Sequence, residues 1–279
     1  MNKIRSYGRV TFSSLNIHNF RLYFIGQAIS LSGTWMQNVA QGLLILQLTE
    51  SGTALGLLIA VQFLPILLFG SFGGVIADRY SKRKILFVTQ SLAGILALIQ
   101  ATLLFLGITE VWMVYVLAFG LGLITALDNP TRQTFIFEMV GKDHIRNAVS
   151  LNAVMVNIAR VIGPMLAGIL VPTVGLAMCF LINGISFIAV LVVLAIMNVH
   201  QLMPAKRATQ IRGQFMKGLR YVNETHSLRT VLIIYLLTSI LKPNLEICPK
   251  AHFEDPSLLI HFYFCAHLFR FYDIQILLR

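Results

Sequence analysis

Six apolar blocks, near residues 22–47, 54–76, 85–107, 111–129, 148–171 and 176–198, are each long enough to cross a bilayer as a helix. An α-helix rises 1.5 Å per residue, so roughly 20 residues span a hydrocarbon core of ~30 Å. In that medium every backbone N–H and C=O must be bonded internally, which leaves the helix as the conformation for blocks of this length. Charged residues make up 12% of the chain and hydrophobic ones 57%, against about 25% charged in a soluble domain. Mean hydropathy is +0.77. The expected fold is an all-α membrane protein, a bundle of six transmembrane helices.

The net charge of +11 raises nucleic acid as a partner, and the placement of the basic residues argues against it. Segments 1–21, 77–84, 130–147 and 199–229 hold 17 Lys and Arg, whereas 48–53, 108–110 and 172–175 hold none. Basic residues favour the cytoplasmic side of short loops, so an even number of crossings with a cytoplasmic N-terminus in the cell (inner) membrane is expected. The first residues are polar and basic, and the first apolar block lacks a small-residue cleavage site, so that block acts as its own insertion signal.

The three connections without Lys or Arg are three to six residues long, which makes each pair of helices they join a tight antiparallel hairpin. The expected organisation is a cytoplasmic N-terminus at 1–21, the bundle at 22–198, a cytoplasmic loop at 199–229, the start of a seventh helix at 230–241 and a divergent tail at 242–279. Within the loop, Ile211, Phe215, Leu219 and Val222 recur at helical spacing, which fits a helix on the inner membrane surface or a solvated linker helix. The apolar run Val231 to Leu241 is 11 residues, about half of what a bilayer needs, before Lys242, Pro243 and Asn244 stop it.

The first helix carries a wet stripe. Gln27, Ser30, Thr34, Gln37, Asn38 and Gln41 fall within about 100° when projected at helical pitch. Unsatisfied amides in lipid are costly, so this face must meet protein or water. It reads as a pathway offering neutral hydrogen-bonding groups to a solute, with hydrogen bonding between packed helices as the competing reading. Arg160 lies about 12 residues into the fifth block, where an unpaired Arg costs at least ~2.5 kcal/mol. Asn157 and Pro164 share its face to within about 60°. Arg160 therefore joins the candidate pathway, a structural ion pair or a contact to backbone carbonyls being its alternative role.

Between the second and third blocks runs Gly74, Val75, Ile76, Ala77, Asp78, Arg79, Tyr80, Ser81, Lys82, Arg83 and Lys84. It resembles the cytoplasmic signature Gly-x-Leu-x-Asp-Arg-x-Gly-Arg-Arg of the major facilitator superfamily. Gly74, Asp78, Arg79 and Arg83 agree with that pattern, while Ile76, Ser81 and Lys82 depart from it. Gly74 would permit close helix approach, Asp78 would accept hydrogen bonds at a helix end, and the basic cluster would anchor to the inner face. Gly163, Pro164, Ala167 and Gly168 are similar to the fifth-helix pattern Gly-Pro-x-x-Gly-Gly of the superfamily's exporters, with Ala167 in place of Gly. Small residues pack closely and Pro permits a bend. Asp128, Asn129, Pro130, Thr131, Arg132 and Gln133 look like the branch holding enterobactin and macrolide exporters.

The resemblance covers about residues 15–240 and implies the N-terminal half of a major facilitator fold, with a 3+3 inverted repeat and a truncated seventh helix. It implies a secondary active transporter exporting drug-like or siderophore-like molecules by alternating access, coupled to an ion gradient. It also implies a conformational switch at Gly74, Asp78, Arg79, Lys82, Arg83, Asp128 and Arg132, with Asp128 pairing to Lys82 or Arg79. An ordinary helix-end turn at Pro130 is the competing reading of that last segment. A transport-inactive fragment or a membrane scaffold is the alternative for the whole chain. The partners expected are a small-molecule substrate, membrane lipid and a coupling proton, with no nucleic acid. Cys179, Cys248 and Cys265 show no metal or redox spacing, and the seven histidines all fall outside the middle of the blocks. No nucleophile with a positioned base and no His and carboxylate set occurs in a span, so an enzyme, a cofactor and a metal are not expected.

Overall fold

The computed structural model describes residues 13–203. Residues 1–12, the loop and its amphipathic stretch beyond residue 203, the seventh helix expected at 230–241 and the divergent tail expected at 242–279 lie outside them. The described residues are helical, with short connections. They comprise α1 (His18–Thr49), α2 (Gly52–Arg79), α3 (Lys82–Phe105), α4 (Val111–Val174) and α5 (Leu176–Ile196), flanked by 3-10 turns at Ser13–Asn16 and Val199–Gln201.

Four of these five helices are long and apolar enough to cross a membrane. α1, at 32 residues, is long enough, but its Gln and Asn side chains lower its hydropathy. α4 has 64 residues, about 96 Å if straight, roughly three times the hydrocarbon thickness. It does not run straight: Gly141 has φ 68° and ψ −173°, outside the helical region, and divides it into arms 111–140 and 142–174. Counting those arms apart gives six helical segments among the described residues.

This corrects one sequence expectation. The segment 130–147, read as a connection, is helical except at Gly141, and Pro130 does not end its helix. Pro costs a helix one hydrogen bond, here to the Ala126 carbonyl four residues earlier, and helices in a membrane protein tolerate it where neighbours re-satisfy the backbone. The Ala126 oxygen lies against Gly73 of α2, at a place where any Cβ would clash with it. The close approach near the signature is therefore made by Gly73, while a Cβ on Gly74 would meet nothing within 4 Å.

α2 packs chiefly on α4, α3 on α5, and α1 on α4 and α5. At one end Phe20, Tyr23, Leu86, Phe135, Met139 and Leu194 form a core, with the Tyr23 and Phe135 rings edge-on at 5.7 Å. Toward the other end Met36, Leu44, Ile45, Val114 and Phe180 form a second. The outer faces stay apolar, Leu67 being 81% exposed, as lipid-facing helices require. The start of α1 is tied to the chain leaving α5: Asn19 Nδ2 donates to the Asn198 carbonyl at 2.8 Å, and the Asn198 N–H donates to Asn19 Oδ1 at 3.1 Å.

Candidate functional site

The polar face of α1 divides in the structure. Gln27, Ser30, Gln37 and Gln41 are buried, whereas Thr34 and Asn38 are half-buried. Gln37 has a partner on another helix: Asn183 Nδ2 of α5 donates to Gln37 Oε1 at 2.6 Å, and Ser186 donates to Asn183 Oδ1 at 3.1 Å. That bond joins α1 to α5 as interhelical hydrogen bonds do. Thr34 donates to its own helix at the Ser30 carbonyl, 2.9 Å away. Asn38 Oδ1 and Gln41 Oε1 are buried atoms with no hydrogen-bond partner among the described residues.

The 142–174 arm of α4 crosses α1 beside this face. Gly163 and Pro164 are buried, Ala167 is fully buried, and Gly168 is half-buried. A Cβ at Gly163 would collide with Trp35 Cβ and crowd the Met36 N–H and Ser32 carbonyl at 2.8 and 2.9 Å, so only glycine lets the helices meet here. One turn earlier, the Arg160 guanidinium carbon lies 4.8 Å from the centre of the Trp35 ring. Both residues are half-buried. A guanidinium over an indole face is a cation–π contact that offsets part of the cost of placing charge in a span. Asn157, another turn earlier, is half-buried and donates to the Ala153 carbonyl at 2.8 Å. The structure thus brings Arg160 and Trp35 together at one crossing, with Asn38 and Asn157 a turn away along their own helices.

A second set of polar groups gathers around the start of α3. Lys82 Nζ lies 2.9 Å from Glu138 Oε1, with both side chains only about a tenth exposed. Asp128 accepts from Thr89 Oγ1 at 2.7 Å and Gln90 Nε2 at 2.8 Å, and pairs with Arg132 one turn along α4. Arg83 donates to the Leu194 and Ala195 carbonyls at 2.6 and 3.0 Å, satisfying two acceptors that the end of α5 leaves open. Asp78 and Arg79 are exposed. The expected pairing of Asp128 with Lys82 is therefore corrected. Asp128 faces Thr89 and Gln90 in the third turn of α3, and Lys82 reaches Glu138, ten residues further along α4.

Sequence reasoning missed Glu138, Thr89, Gln90, Asn183 and Trp35. Glu138 lies in a segment the sequence marks as a connection, and the helical continuation through Pro130 is what brings it to Lys82. Thr89 and Gln90 follow Lys82 by about two turns, a spacing that could have marked one polar face of α3. Trp35 had no polar signal of its own.

A family model described as transmembrane secretion effector matches residues 9–240. The staphyloferrin A transporter of Staphylococcus aureus is 27% identical over 176 residues, 62% of this chain and 44% of that protein. An uncharacterized MFS-type transporter, YfiS of Bacillus subtilis, is 28% identical over 169 residues, 60% of this chain and 39% of that one. The enterobactin exporter EntS of Citrobacter koseri is 26% identical over 158 residues, 57% and 38% of the two chains. The matches span about two fifths of the length of these relatives.

Proposed function

Because the chain belongs to the transmembrane secretion effector family of major facilitator transporters, we propose that it takes part in exporting siderophore-like small molecules across the cell membrane. It is an integral membrane protein, and on this reading its six helical segments cross the bilayer with the N-terminus in the cytoplasm. The two groups of three crossings form an inverted repeat that rocks about a site near the midplane, driven by an ion gradient with a proton as the coupling ion.

The observation that carries this reading is the Arg160–Trp35 contact at the Gly163 crossing, half-exposed amid apolar helices. A charge in that place is a functional residue by default. Thr34, Asn38 and Asn157 line the pathway beside it, and Gln27, Ser30, Gln37 and Gln41 back it from within the bundle. Gly163, Pro164, Ala167 and Gly168 let the 142–174 arm pack and bend against α1. The opposite group, Gly74, Asp78, Arg79, Lys82, Arg83, Asp128 and Arg132, serves as the switch that makes and breaks contacts at the inner end as the bundle rocks. That two relatives are named for siderophores, staphyloferrin A and enterobactin, supports the substrate class.

The test reconstitutes the purified 279-residue chain in liposomes, imposes a proton gradient, and follows a fluorescent dye against empty vesicles and the Asp78→Asn variant. Gradient-driven movement that Asp78→Asn reduces at least tenfold is expected. Movement no faster than in empty vesicles overturns the reading.

A further inference from the structure

We propose that the groove between the end of α1 and the start of α4 seats the headgroup of an amine-bearing phospholipid of the phosphatidylethanolamine class, with Glu110 and Trp112 as its recognition point. This needs only that the bundle sit in a bilayer and holds whatever solute the chain moves. The groove, of about 520 Å³, is lined by Leu48, Glu110, Val111, Trp112 and Tyr115, so one carboxylate stands in an apolar and aromatic wall. Glu110 is the N-cap residue of α4, where an acidic side chain ordinarily accepts from the first backbone N–H groups of its own helix. Here it makes no such bond. Its Oε2 instead accepts from Trp112 Nε1 at 2.6 Å, which holds the carboxylate at the indole edge, and Oε1 takes no hydrogen bond among the described residues. Tyr115, three residues beyond Trp112, donates to the Ala54 carbonyl of α2 at 3.1 Å and ties this wall to a second helix.

The complement such a groove calls for is a cation on an apolar stem. Segments 48–53, 108–110 and 172–175 hold no Lys or Arg, so the connections at this end of the bundle offer Glu110 no basic partner. Leu48 and Trp112 are exposed where the apolar helices give way to these connections, the level at which Trp and Tyr meet lipid headgroups. A primary ammonium there can donate a charge-assisted hydrogen bond to Glu110 Oε1 and lie against the indole face, while the apolar part of the lipid covers Leu48 and Val111. A trimethylammonium headgroup keeps the charge and the ring contact but has no N–H to donate. An anionic headgroup meets the carboxylate as a like charge. The chemistry of the groove therefore ranks phosphatidylethanolamine above phosphatidylcholine and both above phosphatidylglycerol.

The chain has two tryptophans, so Trp35→Phe leaves Trp112 as the sole indole. That variant is placed in phosphatidylcholine bilayers containing one lipid brominated near its headgroup: phosphatidylethanolamine, phosphatidylcholine or phosphatidylglycerol. Quenching of Trp112 then reports which lipid lies beside it. Phosphatidylethanolamine should be enriched at Trp112 about threefold over phosphatidylcholine, the scale of an exposed charge pair, with phosphatidylglycerol the weakest quencher. Adding Glu110→Gln should abolish that enrichment. Native mass spectrometry of the unaltered chain and of Glu110→Gln, each offered equal amounts of phosphatidylethanolamine and phosphatidylcholine, serves if Trp35→Phe does not fold, and the variant should retain one phosphatidylethanolamine fewer. Equal quenching by these two lipids overturns the proposal, as does an enrichment that survives Glu110→Gln, an unchanged lipid count, or phosphatidylglycerol quenching as strongly as phosphatidylethanolamine. Quenching by none of the three would mean that protein fills the groove, and overturns it too.

Discussion

Lys82, in the first turn of α3, is paired at 2.9 Å with Glu138, three residues before the break in α4, and both side chains are about nine-tenths buried. Removing one partner of such a pair leaves a buried charge uncompensated, which costs about 3–5 kcal/mol, whereas removing both costs far less. Lys82→Met should therefore lower the thermal midpoint of the detergent-solubilised protein by several degrees, and Lys82→Met with Glu138→Gln should recover most of that loss. Additive losses in the double variant would show that the two side chains do not interact energetically.

Gly73 and Gly74 are adjacent and predict opposite outcomes. Alanine at Gly73 would drive its methyl into the Ala126 carbonyl, an overpacking that costs about 1–3 kcal/mol. Alanine at Gly74 meets nothing within 4 Å and gains helix propensity of about 0.5–1 kcal/mol. Thermal unfolding of the two variants checks this, and a Gly74→Ala variant less stable than Gly73→Ala would reverse the assignment of the close approach.

Much of this was legible in the sequence because it is local. The polar stripe from Gln27 to Gln41 follows from helical pitch, and the connection expected at 48–53 holds the gap between α1 and α2, which the structure narrows to Glu50 and Ser51. Partners were not legible, because a helical wheel gives a direction and not what lies along it. Gln37 meets Asn183, 146 residues away, and nothing near Gln37 encodes that. Pro130 was ambiguous for a different reason: proline breaks a helix in water, while in a membrane bundle a neighbour such as Gly73 can lie against the carbonyl it leaves open. Arg160 was conspicuous as a charge in an apolar block, yet its companion Trp35 depends on the Gly163 crossing, a property of two helices together.

The Gln37–Asn183 bond should be worth about 0.6–2 kcal/mol, the range for polar contacts between membrane helices. Asn183→Leu and Gln37→Leu should each destabilise by that amount, and the double variant by less than their sum. A chemical denaturation cycle of the four proteins measures the coupling, and a coupling of zero would reduce the contact to a coincidence of packing.

The orientation rests on the 17 to 0 division of basic residues, and the helix ends now say where to probe it. Ser51 accepts from the Ala54 N–H as a cap and Thr109 Oγ1 is buried, so cysteines there would disturb what they report on. Thr53 and Ile108 are exposed in the connections without Lys or Arg, and Ser81 and Lys142 are exposed in the basic ones. With Cys248 and Cys265 replaced by serine and the buried Cys179 kept, single cysteines at Thr53 and Ile108 should react with an impermeant maleimide in intact cells. Those at Ser81 and Lys142 should react only after the membrane is opened. The reverse pattern would place the Lys82–Glu138 pair at the outer face and overturn the assignment of the switch to the cytoplasmic end. Labelling at all four positions in intact cells would mean that the helices do not cross as six spans.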